Sequence, residues 1–358
     1  MLLHKLLQYT IDNACSDLFI MVNTPPCVRK DGEVVPIENM PPLDETIIQN
    51  DIIEKILDKQ PHKRAELLNN KQVDMSYELD EGNRFRVNIF SQRGHYSVVI
   101  RRINSTIPNI EQLGLPESVK YFTTLKKGLV LVTGPTGSGK STTLASLIDI
   151  INSTQRKHII TIEDPIEYLY KNKMSIVNQR EIGQDVVSFS LAVKSALREN
   201  PDIVLVGEMR DLETIENALI VAETGHLVFG TLHTNSATQS INRIIDVFPP
   251  EQQQQVRIQL SSVLEGVISQ LLIPKIGGGV VCACEVMIVN DAIRAIIREG
   301  KQITEVNNQM IMMKKKFGTQ TLDQCLAELF IKGKITIDTA MHYATDKETL
   351  KKMIAMMS

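Results

Sequence analysis

Between residues 128 and 233 the chain carries four short apolar runs, at 128–132, 158–162, 202–207 and 226–232, separated by helical patterns. A half-buried strand alternates apolar and polar residues because successive side chains point to opposite faces. Runs that are apolar throughout need cover on both faces, which helices above and below a mainly parallel sheet supply. That constraint predicts an α/β fold for this part of the chain. In such sheets ligands bind outside the carboxyl ends of the strands. The residues that stop the runs, namely a glycine-rich loop, Glu163, Glu208 and His233, are therefore expected on one edge.

The loop after the first run has a chemistry of its own. Gly134-Pro135-Thr136-Gly137-Ser138-Gly139-Lys140-Ser141 satisfies G-x-x-x-x-G-K-[ST], with Thr142 next in line. Leu144, Leu147, Ile148 and Ile151 then recur at the spacing of a helix stripe. In a strand–loop–helix setting, backbone N–H groups of the loop and helix start surround phosphate oxygens, and Lys140 adds a point charge at the β/γ groups. The Ser141 hydroxyl is placed to hold Mg²⁺. The substrate class is a nucleoside triphosphate. Glu208 follows a long apolar strand, where an acid holds Mg²⁺ or activates water in phosphate-loop enzymes. Glu163 alone fits a helix cap equally well, and a lone histidine after a strand is commonly structural. Convergence on one sheet edge favours a functional role for His233.

Composition narrows the rest. The 358 residues suggest two domains, and 43% hydrophobic with 23% charged residues is ordinary for a soluble globular protein. Net charge is −3, with no dense lysine/arginine stripe, no Trp and 4% aromatics. Nucleic acid is therefore not the expected partner. No apolar stretch approaches the ~20 residues that span a bilayer, and Met1–Leu7 has no signal-peptide core, so a cytosolic location is expected. Leu3, Leu6, Leu7 and Ala14 fit the buried face of a short helix there. Cys15, Cys27, Cys282, Cys284 and Cys325 contain no C-x-x-C and indicate neither a disulfide framework nor a zinc knuckle. Cys282 and Cys284 read as core within a strand-like run.

Residues 1–103 read as a small α+β domain, 104–115 as a linker, and 116–358 as the nucleotide-binding domain with a helical section at its end. In the first domain, Arg84, Arg86 and Asn88 alternate with Phe85, Val87 and Ile89, a half-buried strand with a cationic outer face. A turn at Gln92-Arg93-Gly94 leads to a partner strand ending in Arg101 and Arg102. Spacing alone favours a solvated strand face. The alternative is that these arginines reach a neighbouring subunit's nucleotide as trans-acting fingers.

Five strings now converge: GPTGSGKST at 134–142, TIEDPIE at 161–167, QRE at 179–181, SALRENPDIVLVGEMRD at 195–211 and TGHLVFGTLH at 224–233. Together they resemble the secretion-type hexameric ATPases, and within them the type IV pilus retraction branch, over nearly the whole chain. The resemblance implies a PAS-like N-terminal domain followed by a RecA-like ATPase domain, assembled as a homohexamer that uses ATP and Mg²⁺. It implies that 134–142 is the Walker A loop, that Glu163 lies in the Asp box and that Glu208 is the Walker B acid, with Arg210 just beyond it. His226 and His233 would form the His box, and Arg86 and Arg101 would be the trans arginines. The implied partners are an inner-membrane pilus platform protein and a paralogous retraction ATPase, with the ring held peripherally at the cytoplasmic face of the membrane. A short N-terminal region without a four-cysteine insertion, and AIRAIIRE at 292–299, point to the retraction side. In that string Ala295 stands where the branch usually has Asn. Pilus extension or type II secretion, and a weakly hydrolysing regulatory ring, are the competing readings.

Overall fold

The computed structural model describes residues 1–58, 60–80, 83–103, 106–300 and 304–357. Asn104 and Ser105, the start of the expected linker, lie outside the described residues. The chain forms two compact units, Met1–Thr106 with Pro165–Leu169, and Ile107–Asp164 with Tyr170–Ser358.

The first unit is built on a six-stranded sheet in the order β3-β2-β1-β6-β5-β4. Its strands are β1 (Asp17–Ile20), β2 (Cys27–Lys30), β3 (Glu33–Pro36), β4 (Gln72–Asp80), β5 (Asn83–Gln92) and β6 (His95–Arg102), paired antiparallel. Alternation along β5 works as the period predicts. Phe85, Val87 and Ile89 are fully buried, while Arg86 is exposed on the other face. Helix Leu2–Asp12 buries Leu3, Leu6 and Leu7 against this core. Ala14 does not join them. The helix ends at Asp12, Ala14 takes a left-handed conformation (φ 52°) and is exposed, and Cys15 is buried in its place.

The second unit holds a seven-stranded sheet in the order β13-β12-β7-β11-β10-β8-β9. The strands are β7 (Gly128–Thr133), β8 (His158–Glu163), β9 (Ile176–Glu181), β10 (Ile203–Val206), β11 (Leu227–Leu232), β12 (Leu264–Pro274) and β13 (Val280–Ile288). All neighbours run parallel except β13, which pairs antiparallel with β12. Successive residues of β7 feed opposite cores. Leu129 and Leu131 pack with helices Leu212–Glu223, Ala237–Asp246 and Asp291–Glu299, whereas Val130 and Val132 pack with helices Lys140–Thr154 and Leu322–Ile331. Burial on both faces is why these strands are apolar throughout.

β13 also supplies a structural carboxylate. Glu285, only 6% exposed, accepts from the Ala237 backbone N–H at 2.6 Å and from the backbone of Leu322, the first residues of two helices. Helix starts carry unbonded N–H groups and partial positive charge, so one buried side chain anchors both. Burial nevertheless pushes the Glu285 carboxyl up from its usual 4.5. All five cysteines are free thiols, and Cys282, Cys284 and Cys325 share one core cluster.

Candidate functional site

Sheet order decides which strand ends become neighbours. β11 lies between β7 and β10, and β8 follows β10, so the phosphate loop, His233, Glu208 and Glu163 sit side by side at the carboxyl edge. The ladder continues past the strand ends through Gly134 N–H to Leu232 O, Met209 N–H to Thr231 O and Gly207 N–H to Ile162 O. These bonds set the depth at which each side chain leaves the sheet.

In the loop, Pro135, Thr136 and Gly137 are exposed while Ser138 is buried. Gly139 precedes helix Lys140–Thr154 in a left-handed conformation (φ 87°), and Gly134 has φ 143°. Lys140 Nζ donates to the Gly134 carbonyl at 2.8 Å and the Pro135 carbonyl at 3.1 Å, so the amine is folded over the loop where a phosphate would lie. Ser141 and Thr142 follow Lys140 in the first turn of the helix.

Glu208 is the centre of the polar cluster. His233 Nε2 is 2.8 Å from its Oε1, and the Arg210 guanidinium donates to the same oxygen. That contact raises the Arg210 pKa, with Asp164 adding a smaller push. Glu163 accepts from Thr161 Oγ1 at 2.7 Å and from Gln179 Nε2 at 3.3 Å, which aims its carboxylate along the edge. Ser141 and Glu208 offer a hydroxyl and a carboxylate oxygen, the hard donors that suit Mg²⁺, which binds by one or two protein oxygens plus substrate phosphates. Among the described residues there is no closed cluster of three His, Cys, Asp or Glu that would hold a metal by protein alone. A hydroxyl and one carboxylate are a donor set that fits a cation bound together with a nucleotide.

Three further expected residues have partners of their own. His226 precedes β11, so the whole strand, roughly 20 Å at about 3.3 Å per residue, separates it from His233. Its Nδ1 is 3.1 Å from both Thr224 Oγ1 and Val221 O, the partners of a helix terminus. Arg86 and Arg101 belong to the first unit, where they face each other across β5 and β6. Arg86 is paired with Asp74, and Arg101 Nε donates to the buried Asp17 carboxylate at 2.8 Å. With Asn88 and Val99 they line a shallow cleft on that sheet face.

Sequence reasoning missed Gln270. It sits on β12, and its side chain bonds the loop at Ser138 and the helix at Thr143. Nothing local marks it, because more than a hundred residues separate it from both partners.

A family model described as type II/IV secretion system protein matches residues 1–351. The chain is 49% identical over 340 residues to the type IV pilus retractation ATPase PilT of Pseudomonas aeruginosa, covering 95% of this chain and 97% of the relative. It is 38% identical over 355 residues to the type IV pilus ATPase PilU of the same organism, covering 98% and 91%. A crystal structure of the pilus retraction motor PilT with bound ADP aligns with a TM-score of 0.89 at 48% identity, over 98% of this chain and 99% of that one. The Legionella pneumophila ATPase DotB aligns with a TM-score of 0.75 at 29% identity, over 94% of each.

Proposed function

The chain belongs to the type II/IV secretion system protein family and is an ATPase, and from that premise we propose that it is the Mg²⁺-dependent, homohexameric motor of type IV pilus retraction. The observation that carries the reading is the row of loop, His233, Glu208 and Glu163 on four adjacent strand ends, in a chain that aligns end to end with a retraction ATPase.

The geometry supports a role for each residue. Residues 134–142 hold the triphosphate through loop amides, and Lys140 leaves the Gly134 and Pro135 carbonyls to neutralise β/γ oxygens. Ser141 and Glu208 would hold Mg²⁺, which lowers the charge of the phosphates when bound. Glu163 is the second acid, placed to orient the attacking water. His233, bonded to Glu208, senses whether the γ-phosphate is present, and Arg210 steadies the same carboxylate. Arg86 and Arg101 reach the nucleotide of the neighbouring subunit, exchanging Asp74 and Asp17 for phosphate. Hydrolysis at such shared seams drives a platform protein in the inner membrane, with a paralogous retraction ATPase as a second partner at the same machine. That partner would hold the ring peripherally at the membrane; no helix among the described residues is long and apolar enough to cross one.

Lys140→Ala tests the assignment. Steady-state ATP hydrolysis should fall to background, and undiminished turnover would overturn it. Deletion cells should accumulate unretracted pili; loss of pili instead would make the protein an extension motor.

A further inference from the structure

Gln270 lies in the middle of β12 at 2% exposure, an amide within its buried stretch Gly266–Gln270. A buried amide is costly unless its donor and acceptor are both used. Here both are spent on the phosphate loop and the helix that follows it. Nε2 donates to the Ser138 carbonyl at 2.6 Å, and Oε1 accepts from Thr143 Oγ1 at 3.0 Å. The Ser138 carbonyl can only accept, which fixes Nε2 toward the loop and leaves Oε1 to the Thr143 hydroxyl. The same residue shapes two loop glycines. A Cβ on Gly134 would collide with the Gln270 backbone carbonyl, and one on Gly139 would stand 3.2 Å from Nε2.

We propose that Gln270 is a positioning residue that presets the loop for phosphate. In a trans peptide the carbonyl and the following N–H point to opposite sides. Drawing the Ser138 carbonyl toward β12 therefore turns the Gly139 N–H away from it, toward the hollow of the loop. The donor is oriented before nucleotide arrives, so less ordering is left to be done on binding. The inference rests on the reading of 134–142 as a nucleotide site. It adds that a residue on β12, outside that motif, sets the site's affinity. Because the contact is to the loop that holds phosphate common to both nucleotides, ADP and ATP affinity should move together.

Titration of the full-length protein with fluorescent ADP and ATP analogues tests this, beside steady-state kinetics. Gln270→Met keeps the volume and removes both hydrogen bonds, and should weaken both analogues by about tenfold, the worth of one well-placed buried hydrogen bond. KM for ATP should rise by a similar factor, with kcat falling by a smaller one. Gln270→Glu supplies a second, reversible test. Ionised, it sets a carboxylate oxygen against the Ser138 carbonyl; protonated, it donates there as the amide does. Its affinity deficit against wild type should therefore shrink as pH is lowered from 8 to about 6, since burial raises a carboxyl pKa. The uncharged Gln270→Met should keep its deficit at both pH values, which separates the lost hydrogen bond from repulsion of phosphate by a carboxylate. Folded Gln270→Met protein with wild-type nucleotide affinity, or a pH-independent deficit in Gln270→Glu, would overturn the proposal. Wild-type protein that fails to bind either analogue would overturn the nucleotide-site reading and the inference together.

Discussion

At the scale of single residues, Glu208 has the most concentrated surroundings, with the Arg210 guanidinium and His233 Nε2 on one oxygen. Glu208→Gln keeps the shape and removes the charge proposed to hold Mg²⁺, so nucleotide should still bind while kcat falls about a hundredfold or more, the order lost with one group that stabilises transition-state charge. Rapid-quench and binding measurements on the same sample separate the two. Glu285 makes the contrasting case of a carboxylate with a purely architectural task. Burial raises its pKa above the usual 4.5. Above that value the unfolded chain has lost a proton that the folded chain still holds, so folding stability contributed by this group falls as pH rises through the window. Glu285→Gln has no proton to lose. Its denaturation midpoint should therefore gain on wild type as pH is raised from 4.5 upward, and parallel pH profiles would contradict the assignment. Much of the residue-level site was legible in sequence. A phosphate loop is a local backbone device, so its glycines and lysine must be contiguous. Glu163, Glu208 and His233 were legible because strand ends in a parallel sheet share an edge. Gln270 and Glu285 were not, since each acts on elements brought near only by packing.

At the scale of elements, helix Asp291–Glu299 shows what an apparent recognition motif does in the fold. Ile293, Ile296 and Ile297 are buried as the periodicity predicts. Arg294 does not project to solvent. Its guanidinium donates to the carbonyls of Ser261, Ser262 and Leu264 at 2.9, 3.2 and 3.0 Å, and pairs with Glu265 at 2.7 Å. Those carbonyls close helix Pro250–Val263, whose end lacks intrahelical donors and carries partial negative charge. Arg294→Ala should cost about 2 kcal/mol of stability, in the range for hydrogen bonds to charged groups. Arg298, exposed on the same helix, should cost less than about 0.5 kcal/mol. Urea denaturation of both variants checks the pair. Any contact this helix makes outside the chain must then be carried by residues such as Arg298. The i,i+4 spacing of the two arginines was visible in sequence, but their division of labour depended on where the preceding helix ends.

At the scale of the whole molecule, the proposed ring makes a prediction that no single chain can satisfy. If Arg86 and Arg101 act across a subunit boundary, Arg86→Ala/Arg101→Ala subunits should bind nucleotide yet hydrolyse it at least tenfold more slowly. Mixed with Lys140→Ala subunits, which keep their arginines, they should regain part of the lost turnover. No recovery in verified mixed rings would place the arginines' role in the Asp74 and Asp17 pairs of their own sheet. Residue order was enough to specify the two-faced parallel sheet, the phosphate loop and the strand-end acids, because these follow from periodicity and from chemistry confined to a few consecutive residues. Only packing brought β12's Gln270 to the loop and Arg294 to the end of another helix. Each depends on strand order and packing distance, quantities that no local pattern of residues encodes.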